Sequence, residues 1–274
     1  MRWFDSHCHI HDPRIDQAEA VEAARAAGVQ RMVTVGCDEP TTLAAIETAR
    51  VHTNVWATVG LHPHEAIEGI GWAVDLLRNA VSNRVVAVGE CGLDYFYEHS
   101  PREVQKRMFA EQIQLAHRFD LPLVIHTRDA WDDTFEVLQA EGTPSTTIFH
   151  CFSGGPDEAQ ACLALHSGVY LSYSGIITFK TADSLRSAAA ATPRERTLVE
   201  TDTPYLAPVP YRGKPNQPAY VPYVGAAVAE AQGVSVEALA SATWRNTHRA
   251  FCIDEPDTPV VDPAAPAVDP AVDA

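Results

Sequence analysis

The chain has 274 residues, 46% of them hydrophobic, with 20 Lys and Arg against 36 Asp and Glu and a formal charge of −16. That length and apolar content suffice to bury a full core in one catalytic-size domain. No stretch approaches the roughly 18 consecutive apolar residues of a membrane span, and so acidic a chain lacks the broad basic face with which proteins displace counterions from duplex nucleic acid.

The N-terminus, MRWFDSHCHIHDP, enters strand-like sequence at once, without the basic start and apolar run of a signal peptide, so a soluble, cytoplasmic protein is expected. Apolar runs then alternate with helical periodicity, the pattern of repeated βα units around a parallel sheet. Strands are expected at RWFDSH, RMVTVG, VWATVG, VVAVGE, LPLVIH, TTIFHC, VYLSYSG and TLVETD. Helices are expected over 16–27 before a Gly28 stop, then over 40–51, 72–81, 102–119, 131–140, 157–166 and 183–191. Eight such units in roughly 250 residues predict an α/β fold of the (β/α)8 TIM-barrel type rather than an open doubly wound sheet. Neither a G-x-G-x-x-G turn nor a P-loop follows any strand.

After the eighth strand come a long loop, TPYLAPVPYRGKPNQPAY, and two more helical segments reaching Phe251. The barrel domain is therefore placed at 1–253. The remaining segment, DEPDTPVVDPAAPAVDPAVDA (254–274), holds six acids, five prolines and no base, and reads as a disordered acidic extension. Without it the chain carries 30 acids against 20 bases, about −10, so any grip on nucleic acid must be local.

Six cysteines are scattered without a C-x-x-C and read as free thiols. Cys8, Cys91 and Cys151 each adjoin a candidate ligand, and strand alternation directs them to the opposite side, under the outer helices.

His7 and His9 lie two apart on the first strand, so their side chains share a face and can bind one metal ion. Glu90 ends the fourth strand, His126 the fifth, His150 the sixth and Asp202 the eighth, and in a barrel these ends converge on the rim where active sites are built. Four imidazoles and two carboxylates suit Zn²⁺, Mn²⁺, Fe²⁺ or Ni²⁺, or Mg²⁺ where oxygen dominates. Six ligands exceed one tetrahedral ion, whereas two metals sharing a carboxylate use them all.

This order of ligands resembles the TatD family of metal-dependent hydrolases, within the amidohydrolase-type barrels. The matching stretches are FDSHCHI, VGLHPHEA, GECGLDY, LPLVIHTRDA, HCFSGG, ETDTPYLAP and YRGKPNQP, followed by WRNTHRAF. The resemblance implies that His7, His9, Glu90 and Asp202 surround one divalent ion while Glu90, His126 and His150 hold a second, with Glu90 bridging and Mg²⁺, Mn²⁺ or Zn²⁺ as the ions. It also implies a metal-dependent deoxyribonuclease or exonuclease on single-stranded DNA ends, or RNA ends. Asp202 would accept the proton of the attacking water, making Glu90 and Asp202 the catalytic carboxylates.

For substrate binding, His62 and Arg128 face the same rim and suit phosphoryl oxygens; the alternative for Arg128 is an ion pair with a rim carboxylate. Arg212 and Lys214 lie with Tyr205 and Tyr211 in the loop after Asp202, a mixture that favours single strands, or else forms a lid held by prolines. Tyr95, Phe96 and Tyr97 allow stacking or packing. The alternative function is a small-molecule amidohydrolase or lactonase on the same metal centre, where many such enzymes bridge their metals with a modified lysine, and no Lys ends a strand here. A binding protein that keeps the metals without turnover is the third reading. No membrane association and no obligate protein partner are expected.

Overall fold

A computed structural model describes residues 1–255. All but the first two residues of the expected tail, 256–274, lie outside the described residues. Asp254 and Glu255 still touch the folded body: Arg31 donates to the Asp254 carbonyl at 2.8 Å and the Trp244 indole to Glu255 Oε1 at 3.2 Å.

The strands are β1 (Trp3–Cys8), β2 (Val29–Thr34), β3 (Val55–Val59), β4 (Val85–Asp94), β5 (Leu123–Arg128), β6 (Thr147–Phe149), β7 (Val169–Tyr173) and β8 (Thr197–Val199). They form one parallel sheet in the order β1 to β8. The helices are α1 (Gln17–Ala26), α2 (Glu39–Val51), α3 (Ala73–Arg78), α4 (Ala80–Asn83), α5 (Arg102–Phe119), α6 (Trp131–Glu141), α7 (Pro156–Leu165), α8 (Asp183–Ala191), α9 (Val221–Gln232) and α10 (Val236–Ala250). The sheet comes round on itself where Asp202 donates its amide to the His7 carbonyl at 2.9 Å and His9 to the Thr203 carbonyl at 2.8 Å. Those two bonds complete the TIM barrel and also hold Asp202 beside the His7–His9 pair.

Local chemistry starts the helices where the chain turns. Asp16 caps α1 by accepting from the Glu19 amide, and Asp38 and Thr41 form a reciprocal capping box around Pro40 at the start of α2. Along α5, Met108, Phe109, Gln112, Ile113 and Ala116 recur at helical spacing and are buried. The single helix expected over 72–81 is instead α3 and α4, broken at Asn79, whose backbone (φ −106°, ψ 22°) leaves the helical region.

Strand alternation sorts the apolar residues into two clusters. Val124 and Ile148 point inward with Phe4, Val33, Ala87 and Leu198, while their neighbours Ile125 and Phe149 point outward under the helices. Trp244, Ala250 and Phe251, from α10 and its end, close the inner cluster at the N-terminal ends of the strands. The barrel is thus plugged below, and its polar residues collect at the opposite mouth.

Two irregularities shape that mouth. Regular alternation from inward Phe4 would send His7 outward, and from inward Ala87 would send Glu90 outward. Instead the β1–β2 ladder slips between Asp5 and Cys8 and the β4–β5 ladder slips between Val88 and Cys91. Val88 and Cys91, three apart, both lie in the outer cluster, so the extra residue turns Glu90 into the barrel. Gly89 makes this possible: its φ is +136°, and a Cβ there would meet the Val124 carbonyl oxygen at 2.5 Å. Gly60, just after β3, is equally constrained, since a Cβ there would lie 2.1 Å from the Gly89 carbonyl carbon. Glu90 does not end β4 as the sequence suggests, because the strand continues to Asp94.

Candidate metal centre

Glu90 sits at the centre of a ring of imidazoles. Its Oε1 lies 2.7 Å from His150 Nε2, 3.0 Å from His126 Nδ1 and 3.5 Å from His62 Nε2, while Oε2 lies 3.4 Å from His7 Nε2. Asp202 Oδ1 faces His9 Nε2 at 3.3 Å and His7 Nε2 at 3.8 Å. The structure therefore brings His7, His9, Glu90, His126, His150 and Asp202 into one cluster, drawn from β1, β4 and β5 and from the chain just after β1, β6 and β8.

Three of these imidazoles are aimed from behind. His9 Nδ1 donates to the Val35 carbonyl at 2.8 Å, His150 Nδ1 to Glu200 Oε1 at 3.1 Å, and His126 Nε2 to Asp94 Oδ2 at 3.1 Å. In each case the other nitrogen points into the cluster, which is how a protein orients histidine ligands and raises their basicity. His7 is different: both ring nitrogens are buried and neither has a hydrogen-bond partner among the described residues. A buried polar atom without a partner costs roughly 1–3 kcal/mol, and a cation held by His7 Nε2 with Glu90 and Asp202 would remove that cost at Nε2.

The charge balance points the same way. Glu90, Asp94 and Glu200 are buried, with Asp202 half-buried, and no Lys or Arg pairs with any of them among the described residues. Burial alone would push the Glu90 carboxyl up, but His150 and His62 beside it hold it well below the usual carboxylate range. Burial likewise opposes ionisation of Asp202, and the hydrogen bond from His9 together with the charges of His150, His7 and His9 outweighs it, so that carboxyl is lowered too. Burial holds His7 below its usual value, helped by His150. Burial would lower His9, His126 and His150, but the groups beside them, Cys37 and Asp202 for His9, Asp94 and Glu90 for His126, and Glu90 and Glu200 for His150, raise all three. The buried carboxylates thus draw positive charge into the cluster; divalent cations supply that charge to deprotonated ligands, and the donor set fits them.

Candidate ligand groups share members. His7, His9 and Glu90 present atoms within 4.8 Å of one another, as do His62, Glu90 and His126, and His7, His150 and Glu200. Glu90 belongs to the first two. His62 has the spacing of a ligand, but its hydrogen bonding assigns it otherwise. Its Nδ1 accepts from the His64 amide at 3.1 Å, which puts the ring proton on Nε2. Burial pushes its pKa well down, so His62 is a neutral donor facing the cluster.

The other expected contacts lie around the rim. Arg128 has no carboxylate partner among the described residues; its guanidinium lies 4.0 Å from the centre of Phe96 and 4.9 Å from that of Tyr97. Phe96 is 56% exposed and Tyr97 53%, whereas Tyr95 is tied down by donating to Asp133 at 2.6 Å. Arg212 and Lys214 are exposed and also unpaired among the described residues, away from the β4–β5 side where Arg128 lies. Cys8 and Cys91 lie in the outer cluster as expected. Cys151 does not: with φ +42° it leaves the strand and places Sγ 3.1 Å from Ser174 Oγ, so alternation no longer governs it.

Sequence reasoning missed Asp94, Glu200 and Cys37, and it placed His64 on the rim beside His62 without giving it a role. Asp94 accepts from His126 and His64, both at 3.1 Å, on Oδ2, and from the Phe96 and Tyr97 amides on Oδ1. It orients a candidate ligand and shapes the aromatic loop at once. Glu200 accepts from His150 and from the Cys151 amide. Cys37 Sγ lies 3.7 Å from Glu90 Oε2. The available signal was an acid embedded in an apolar run, in GECGLD and in LVETD. Asp94→Ala is expected to weaken metal binding about 10- to 100-fold, with partial recovery in Asp94→Asn, which keeps an acceptor for His126. Calorimetric titration of metal into stripped protein reads this, and unchanged affinity in the Ala variant would remove Asp94 from the site.

Comparison with known proteins agrees with the chemistry. Residues 4–252 match the family described as TatD related DNase. YabD of Bacillus subtilis, an uncharacterized metal-dependent hydrolase, is 39% identical over 258 residues, covering 92% of this chain and 99% of the relative. YcfH of Escherichia coli, described in the same words, is 40% identical over 256 residues, covering 91% and 96%. The crystal structure of YjjV, a TatD homolog from Escherichia coli, superposes with a TM-score of 0.85 at 30% identity, over 92% of this chain and 99% of that one. With an intact cluster of imidazoles and carboxylates at the mouth of the same barrel, this chain belongs to the TatD family of metal-dependent hydrolases.

Proposed function

We propose that the protein is a phosphodiesterase that uses two divalent ions to shorten single-stranded nucleic acids, DNA above all, from their ends. The observation that carries the proposal is Glu90, common to the His7–His9 group and to the group containing His126, beside exposed Phe96 and Tyr97 under an unpaired Arg128. One ion would be held by His7, His9, Glu90 and Asp202, the other by Glu90, His126 and His150. Bound Mg²⁺, Mn²⁺ or Zn²⁺ would acidify a water and neutralise charge on the phosphoryl oxygens.

The chain's own groups do the rest. Asp202 accepts the proton of the attacking water through the oxygen that does not face His9. His62 donates Nε2–H to a phosphoryl oxygen, which a neutral imidazole does at any pH above its lowered pKa. Phe96 and Tyr97 stack bases, worth about 1–3 kcal/mol per base without sequence preference. The Arg128 guanidinium sits 4.0 Å from the centre of the Phe96 ring and 4.9 Å from that of Tyr97, with no carboxylate partner among the described residues, and binds backbone phosphates beside them. Tight local contacts of this kind reconcile nucleic-acid binding with a net negative chain.

A carbonyl hydrolase that bridges its metals with a modified lysine is disfavoured. Of the three lysines, Lys106 pairs with Asp133 between α5 and α6, and Lys180 and Lys214 lie in exposed loops. No helix of the described residues is long and apolar enough to cross a membrane. The six free cysteines suit a reducing compartment, and the proposal places the enzyme in the cytoplasm.

The test is digestion of end-labelled single-stranded DNA by stripped protein reloaded with Mg²⁺, Mn²⁺ or Zn²⁺. Metal-dependent stepwise shortening is expected. Intact DNA and RNA with every ion, together with turnover of a lactone or ester panel, would replace this reading with the small-molecule one.

A further inference from the structure

Beside the metal centre a separate cavity of about 570 Å³ opens between the loop after β1 and the long loop after β8. It falls in the lower half of the roughly 300–1,000 Å³ range of pockets that take drug-sized ligands, room for one nucleotide and not for a strand. Pro204, Leu206 and Ile15 give it apolar lining, Phe179 supplies an aromatic face, and Arg212 and Lys214 line it with Arg14. Tyr205 connects it to the metal ligands: its ring centre is 6.4 Å from that of His9, its amide donates to the Asp202 carbonyl at 2.8 Å, and its hydroxyl accepts from Arg14 at 2.9 Å.

The cations are not equivalent. Arg14 is already held by Asp12 through two bonds of 2.8 and 2.6 Å, so it forms wall. Arg212 lies 4.3 Å from the centre of the Phe179 ring, and neither it nor Lys214 meets a carboxylate among the described residues. The loop that carries them is anchored at its base, where buried Asn216 donates to the Thr201 carbonyl at 2.7 Å and the Tyr205 carbonyl at 2.6 Å. Two uncompensated positive charges on an anchored loop, over an aromatic face and an apolar lining, describe a site for a planar apolar group that carries a phosphate.

We propose that this cavity receives the terminal nucleotide of the strand and that Arg212 and Lys214 hold a phosphate on its free end. The inference rests on the nuclease reading above. With the scissile phosphate at the metal centre, the terminal nucleotide lies between two anion sites, Asp202 and its metal on one side and the Arg212–Lys214 pair on the other. The remainder of the strand leaves across the barrel mouth over Phe96 and Tyr97. A pocket sized for one nucleotide makes the enzyme act from an end, releasing mononucleotides, and makes it prefer ends that bear a phosphate.

The experiment compares matched single strands that carry a phosphate or a hydroxyl at the 5′ end and, separately, at the 3′ end, with the metal-loaded enzyme and its R212A/K214A variant. Wild-type protein is expected to process one of the phosphorylated ends at least about tenfold more efficiently than its hydroxyl counterpart, through KM, in line with losing a charge-assisted contact. The variant is expected to lose that preference while retaining the wild-type metal content and circular dichroism spectrum. It should also bind a nucleoside 3′,5′-bisphosphate at least about tenfold more weakly in calorimetry. Strand cleavage with no preference at either end, or a preference that survives in the variant, overturns the inference and leaves the nuclease reading standing. Failure to cleave any strand sinks that reading, and this inference with it.

Discussion

Glu90→Ala is expected to lower metal-dependent hydrolysis by at least about a thousandfold, the scale of removing a group that organises transition-state electrostatics. No other side chain can substitute for it. Its two oxygens reach four different imidazoles, at 2.7 to 3.5 Å, and it is common to two of the candidate ligand groups. Without it the halves of the cluster are no longer joined through one anion, so bound metal should fall below that of wild-type protein. Glu90→Gln separates charge from packing, because it keeps the volume and loses the negative charge. Elemental analysis of protein reloaded with Mn²⁺, combined with rates on end-labelled DNA, reads both effects. Near wild-type rates at full metal content in either variant would remove Glu90 from the centre of the chemistry.

Asp202→Asn is expected to reduce kcat by about 10²- to 10⁴-fold, the range for a lost general base, with a smaller change in bound metal than Glu90→Ala produces. Asn keeps the shape and can still face His9 through its amide oxygen, but it cannot take up the proton of the attacking water. The backbone is insulated from the change: the Asp202 amide donates to the His7 carbonyl and the Asp202 carbonyl accepts from Tyr205. Single-turnover rates at saturating metal and DNA isolate the chemical step. An unaltered rate constant there would assign the proton to another acceptor and leave Asp202 as a ligand alone.

Much of this was readable in advance because the relevant physics is short-ranged. A parallel barrel strand is buried on both faces, so it appears as an apolar run, and the polar residue that stops the run marks the mouth. That logic singled out Glu90, His126, His150 and Asp202 without any contact information. Helix starts were equally local, since Asp16 and Asp38 cap within three residues of themselves. Alternation failed where the backbone stopped being regular: at the slips beside His7 and Glu90, and at Cys151, whose positive φ takes it off the strand.

Asp94 and Glu200 escaped sequence reasoning for a different reason. An orienting carboxylate is defined by what it touches, and their partners, His126 and His150, lie 32 and 50 residues away along the chain. The same holds for the donor role of His62, which depends on where one backbone amide points.

Taken by itself, the sequence determined the (β/α)8 architecture, the ligand types and the rim on which they gather, since hydrophobic period and strand-end placement act over a few residues. Only the tertiary structure decided that the slips on β1 and β4 turn His7 and Glu90 into the barrel, that α10 plugs the opposite end, and that Arg212, Lys214 and Phe179 enclose a cavity beside Asp202. Each of those depends on close approach between segments far apart in the chain, such as the Gly89 backbone against Val124 and Gly60, and no local pattern of residues encodes such an approach.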